Sequence, residues 1–522
     1  MARRLGYLAA IALILLAAGA AHAQTLVVGL DFEPPSIDPH LRMLTPDEAI
    51  SRNFFDALIL QDESQRLRPG LALSWRALDD RTWRFELRHG VKFCDGSDFT
   101  AEDVAFSLMR PRSVPNATGG YQLFTRDIVA VETPDPYTAV IRTGSPQPTL
   151  PNRLSVIWIV SRRAAGADSA AFDSGKAMIG TGPYCFVEWR RGERIVMRRN
   201  EAYWGKTPAA ARAELRFIPS DAARVAALAA HDVDMINSVP ASVLADLERR
   251  PDIRVVHTPS ARPTYLTFDT YRDVSPFVTD RAGRPLDKNP FKDLRVRKAI
   301  SQAIDRKALV AGVLAGAGAP AGQMLPAGYF GTSPELGPPP FDPAAAGRLL
   351  AEAGYPGGFG VTLHVSSTRT PFDEKAAVAV AEMLSRVGIA TKVESLPEAV
   401  YKTRTTKYEL SFMLLGYYSE TAEPSPWLTA LIATPDPATG AGYANFGRHS
   451  LPEFDKLLQR AVATIDDGER EKLLRQATEL AIGEEQIVPL FHSDAVWAMR
   501  DGIDYVPRKD NYTLVQFVIP RG

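Results

Sequence analysis

The chain has 522 residues, 45% of them apolar and 23% charged, an ordinary globular composition and too much chain for a single hydrophobic core. Its 60 Lys and Arg residues nearly balance 61 Asp and Glu, which excludes nucleic acid and an anionic membrane surface as natural partners.

Arg3 and Arg4, an apolar run from Leu8 to Ala18 and then Ala21-His22-Ala23 follow the order of an export signal, with cleavage expected after Ala23. The apolar run is shorter than the roughly 20 residues of a bilayer span, and no Cys follows it to carry a lipid. The mature chain then begins at Gln24 and is about three charges negative.

Residues 25–30 read as a buried strand that ends in the Pro-rich loop DFEPPSIDPH, where Ser36 is a candidate ligand contact. Pro46 opens a helix to Asp56 with Thr45 as its cap, and a short strand covers 57–60. From there to about Ser174 the pattern is mostly strands, including 82–87 and a hairpin over 129–143 that turns at Pro134-Asp135-Pro136. Thr100 and Asp103 have capping-box spacing, and Ala101, Val104, Ala105 and Leu108 then form one apolar helical face.

From Gly180 a long hairpin turns at 190–193, and residues 214–236 read strand, helix, strand, with Ser220 as cap and a parallel strand pair implied. A helix over 241–249 and a strand over 253–258 lead into a loop-rich passage after Ser260. A second α/β set follows. It comprises a helical stripe at 296–304, a helix at 343–353, a strand at 361–367, a helix at 376–387, strands at 389–395 and 409–417, and helices near 452–464 and 469–482. The apolar run 487–491 comes last. The alternation restarts in mid-chain, so two α/β lobes account for the length.

The seven His residues beyond the leader show no H-x-x-x-H or H-E-x-x-H spacing, and no CxxC occurs, so no metal ligands are assigned. There is no G-x-S-x-G elbow and no Walker sequence; Gly180-Thr-Gly precedes a strand. Glu420 and Glu423 lack a spacing diagnostic of glycoside chemistry. No catalytic residues and no cofactor are assigned. Cys94 and Cys185 read either as a disulfide or as two buried thiols.

Five ordered motifs carry a resemblance: LALSW at 71–75, WRFELRHGVKFCDGSDFTAEDVAFSL at 83–108, GTGPYCFVEWRRGERI from Gly180, NEAYWG at 200–205 and VRKAISQAIDRKALV at 296–310. Together they resemble the extracellular solute-binding proteins of family 5, the periplasmic dipeptide-, oligopeptide- and nickel-type receptors of ABC importers. The match departs from many relatives at Cys94, where they have His. The resemblance implies a large bilobal fold of the periplasmic-binding-protein type II kind, with two lobes joined by a hinge. Lobe I would comprise 24–56, 180–262 and 488–522, with a strand-rich subdomain at 57–179; lobe II would be 263–487.

The function implied is a periplasmic monomer that binds a small peptide or similar polar organic solute and delivers it to a membrane permease. Peptide-binding members resemble the chain around GYYSETAEPSPWL (416–428), which sets Glu420 at their ammonium-binding position and Glu423 at their second acid. The alternative for Glu420 is a solvated loop carboxylate. Tyr417, Tyr418 and Trp427 are candidate walls of an apolar pocket, and Asn445 and Arg448 are further candidate contacts. Receptors for a metal chelate or haem, and a secreted hydrolase, are the alternative readings.

Overall fold

The computed structural model describes residues 25–117, 121–370, 372–419 and 421–521; the expected leader and its cleavage point lie outside the described residues, as does Glu420. Among the described residues no helix is long and apolar enough to cross a membrane.

Two long antiparallel strands, Ile253–Phe268 and Ile487–Arg500, run side by side through the molecule. The sequence predicts a loop after Ser260, yet the first of them continues to Phe268. Its ladder shifts register between Pro259 and Pro263, so the prolines fall where the pairing is already interrupted, and Ser260 Oγ bonds the Ser493 carbonyl at 2.7 Å. Toward one side the sheet continues through Met235–Ile236, Leu26–Leu30, Arg212–Phe217 and the hairpin Tyr184–Arg190/Arg194–Arg199. Toward the other it continues through Phe412–Gly416, Phe359–Ser366 and Ile389–Leu396. The parallel pair expected at 214–236 is not adjacent. Leu26–Leu30 lies between its two strands, parallel to both, because this apolar segment fills the middle place of the sheet.

A separate antiparallel sheet orders Ala72–Ala77, Thr82–Leu87, Thr138–Thr143 and Ile128–Asp135. The helix Ala101–Met109 covers it, and Thr100 with Asp103 forms a reciprocal capping box. Trp83, Phe85, Val104 and Leu108 belong to the same apolar core as Val28, Leu215 and Trp497, so this sheet and the first lobe fold as one body. The disulfide Cys94–Cys185 ties it to the Tyr184–Arg190 strand. The second lobe has a core around Phe268, Ile300, Val365 and Phe412 and another around Tyr265, Trp427, Phe454 and Leu474. Each such fully buried side chain contributes about 1.5–3 kcal/mol.

Two helices differ from the sequence reading. The helix under the stripe at 296–304 ends at Gln302, before Ala303 and Ile304, and a separate helix Arg306–Val313 follows, started by the Asp305 side chain, which accepts from Ala308 N at 3.0 Å. The helix after Leu44 ends at Ser51, short of Asp56, because the Asn53 and Phe54 carbonyls instead accept from Tyr184 N and Gly182 N. A Cβ on Gly182 would stand 2.6 Å from the Phe54 carbonyl oxygen, so only glycine permits that approach.

Candidate ligand site at the lobe junction

The register shift at 259–263 places Arg262 where the lobes meet. Its Nη2 donates to Thr45 Oγ1 at 2.8 Å, and its guanidinium lies 5.0 Å from the Tyr418 ring centroid. Thr45, expected to cap its helix, stands inside it with Leu44 at the cap, and its hydroxyl turns to this arginine. Tyr417 N donates to the Pro263 carbonyl, Ser419 N to the Ala261 carbonyl, and the Tyr418 hydroxyl to the Asp510 carbonyl at 3.1 Å. The first part of the 417–427 loop is therefore laced to the connecting strand and to the first lobe.

The rest of that loop is held from inside the second lobe. Glu423 is 1% exposed, with one oxygen on Arg470 and the other accepting from Ser425 Oγ. Its charge anchors the loop from inside the lobe. Trp427 is 1% exposed in the apolar core, a packing residue. Asn445 donates to the carbonyls of Ile432, Ala433 and His449 and accepts from His449 N, which consumes its amide.

Arg448 stands over the rings of Tyr271 and Tyr408 and 3.9 Å from Asp269. Tyr417 bonds Pro263, whereas Asp269 is six residues on, roughly 20 Å along an extended strand. Arg448 and the two tyrosines thus do not converge. Ser36 donates to Asp173 Oδ1 at 2.7 Å, tying its loop to the segment that also receives Arg191. These five side chains, expected at a ligand, are engaged within the fold; Tyr417 and Tyr418 remain at the junction.

Residues that sequence reasoning missed take their place. Arg369 Nη2 bonds Asp373 at 2.7 Å while its Nη1 occupies the space a Cβ on Gly416 would need, at 1.7 Å. Glycine at 416 therefore lets a guanidinium lie against the strand end that leads into Tyr417. Gln65 donates to the Ser419 carbonyl at 3.2 Å, and Asn152 donates to the Thr421 carbonyl at 3.3 Å. The only sequence signal for these was the turn chemistry around Asp62 and the prolines flanking Arg262.

Several buried polar atoms here have no hydrogen-bond partner among the described residues: Ser419 Oγ, Thr421 Oγ1, Arg262 Nε and both carboxylate oxygens of Asp47, whose contact with Arg42 is an ion pair. Burial pushes Asp47 up to about 6, with Arg42 3.9 Å away as its nearest cation. Native interiors pair most such atoms; those at the junction belong to a wider set that also includes His40 Nδ1, His364 Nε2 and Asp494 Oδ1. Among the described residues no group of three or more His, Cys, Asp or Glu side chains is arranged to hold a metal ion.

Residues 66–437 match the family model for the middle region of the bacterial extracellular solute-binding proteins, family 5. The chain is 28% identical over 477 residues to heme-binding protein A of Haemophilus influenzae, covering 86% of this chain and 83% of that protein. It is 27% identical over 491 residues to the glutathione-binding protein GsiB of Escherichia coli, covering 92% and 91%. The structure of HbpA2 from Haemophilus parasuis superimposes with a TM-score of 0.81 at 25% identity, covering 95% of this chain and all of that one. A family match over most of the length, on a two-lobed frame crossed by a pair of connecting strands, means that the chain belongs to the bacterial extracellular solute-binding proteins, family 5.

Proposed function

We propose that this protein is the receptor of an ABC importer, which captures a small peptide or similar polar organic solute between its lobes and delivers it to a membrane permease. The observation that carries this reading is the pair of buried hydroxyls, Ser419 and Thr421 on either side of Glu420, that have no hydrogen-bond partner among the described residues. Arg369, paired with Asp373 through Nη2, leaves Nη1 for a ligand carboxylate, and Glu420, by its resemblance to the peptide-binding members, supplies the partner for an ammonium. Tyr417 and Tyr418 contribute aromatic surface. Glu423 and Arg470 hold the loop that presents them. The protein performs no covalent chemistry in this reading.

The finer parts of the proposal are export with cleavage after Ala23, no lipid anchor and a monomeric state. It also includes the division into lobe I (24–56, 180–262 and 488–522), its subdomain (57–179) and lobe II (263–487). The glutathione-binding relative favours a peptide cargo; the heme-binding relative favours a second reading, haem or a metal chelate.

Native mass spectrometry of the purified protein, followed by thermal shifts against di- and tripeptides, glutathione, haem and nickel–histidine, separates the two. A saturable rise with peptides, about 2.7 kcal/mol at a hundredfold excess over Kd, is expected. Arg369→Gln should weaken a carboxylate-bearing ligand about 10- to 100-fold, and Glu420→Gln should weaken one with a free amine. A rise with haem or chelate alone selects the second reading, and turnover of a compound overturns both.

A further inference from the structure

The hairpin Ile59–Gln61/Leu67–Pro69 turns through Asp62-Glu63-Ser64-Gln65, and Gln65 takes a left-handed backbone, φ 61°. Turn chemistry calls for glycine or asparagine at such a place, because a Cβ there is strained. The turn itself does not need the Gln65 side chain. The Asp62 carboxylate accepts from Ser64 N, Arg66 N and the Arg68 guanidinium, and Gln65 contributes its backbone N–H to the Asp62 carbonyl.

The side chain is spent elsewhere. It is buried, and both ends of its amide engage the second lobe: Nε2 donates to the Ser419 carbonyl at 3.2 Å, and Oε1 accepts from the Tyr329 hydroxyl at 3.1 Å. Independently, Asn152 from the same strand-rich part of the chain donates to the Thr421 carbonyl. The backbone on both sides of position 420 is therefore held by side chains of the other lobe.

We infer that Gln65, with Asn152, is a positioning latch through which the strand-rich part of the first lobe fixes the backbone of Ser419 and Thr421 and hence the affinity for the solute. This rests on the reading of that segment as part of the ligand site. The strained backbone is retained because only a long amide at this turn spans the junction in both directions. Loosening the latch lets the segment fluctuate, so ligand binding must then order it.

The test uses the full mature chain with Gln65→Gly and Asn152→Ala, alone and combined. Gln65→Gly removes the side chain and relieves the backbone, so its Tm should equal or exceed that of the unaltered protein. Hydrogen exchange of the 417–427 segment in ligand-free protein should nevertheless rise about tenfold, the weight of one or two hydrogen bonds. Affinity for the probes, glutathione and a panel of dipeptides, should fall about five- to tenfold. Gln65→Asn, which tolerates the left-handed backbone but is one methylene too short, should behave like the glycine variant.

Unchanged exchange in the combined variant overturns the latch, as does raised exchange with unchanged affinity for a probe that the unaltered protein binds. If the unaltered protein binds none of the probes, the peptide reading fails while the exchange measurement still decides whether the latch exists.

Discussion

Two polar-rich stretches invite comparison: residues 93–110, crowded with Cys94, Asp95, Asp98 and Asp103, and residues 416–427 at the lobe junction. In the first, the polar groups have partners. Asp103 accepts from Thr100 N and Arg162 N, Asp95 from Ser97 N, Asp98 from Lys92, and Cys94 is bonded to Cys185. In the second, Ser419 Oγ and Thr421 Oγ1 are buried with no hydrogen-bond partner among the described residues. The number of polar residues does not separate the two stretches; what separates them is whether the fold itself satisfies those residues.

The comparison can be broken most forcefully at the disulfide. Reducing Cys94–Cys185, which closes a separation of 91 residues, should cost about 4–5 kcal/mol in urea unfolding with and without reductant. Ligand affinity of the still-folded protein should not change. A loss of binding there would place the first stretch in the site after all.

Asp103→Ala should cost about 2–3 kcal/mol, again without an effect on binding, because it removes a buried carboxylate that accepts from the part-buried N–H groups of Thr100 and Arg162. Chemical denaturation of the variant beside the parent measures it.

Burial, more than partnership, should govern titration. Asp56 accepts from Trp204, Thr181 and Tyr203, yet burial pushes it up to about 6, the same place as Asp47, which has only the Arg42 ion pair. A raised acid stabilises the native state below its unfolded value of 3.8, and that contribution is lost as pH climbs through about 6. Asp56→Asn has no such proton to lose and should gain on the parent by about 2–3 kcal/mol between pH 4 and 6.5, read from denaturation at stepped pH. A constant difference across that window would show that the three donors hold Asp56 near the ordinary carboxylate range.

The smallest effect is the one that sharpens the contrast. Ser419→Ala and Thr421→Val remove orphan hydroxyls, so stability should hold or rise by about 0.5–1 kcal/mol while ligand affinity falls about five- to tenfold. Calorimetric titration with the ligand found in the panel measures both variants. A loss of stability would mean that these hydroxyls have partners in solution.

Much of the fold was readable from local pattern. The strand Thr82–Leu87 follows from alternation, and the helix Ala101–Met109 from its cap and its i, i+3, i+4, i+7 stripe. Neither depends on anything distant. The continuation of Ile253–Phe268 past two prolines was not readable, because the partner that tolerates them is more than 200 residues away in Ile487–Arg500. The insertion of Leu26–Leu30 between the strands expected to pair was hidden for the same reason.

The candidate site divides in the same way. Tyr417 and Tyr418 were reached through a family motif and stand at the junction, while Trp427 and Asn445 shared that neighbourhood in sequence and turned inward to core and carbonyls. Gln65 meets its two partners across 264 and 354 positions, and Arg369 is recognisable only beside Gly416. Periodicity, capping residues and an ordered set of motifs are local properties, so the order of elements, the two-lobed frame and the family were already present in the amino-acid string. Which polar groups find partners is a property of surfaces brought together from opposite ends of the chain, so which of them the fold satisfies was decided only when the lobes packed.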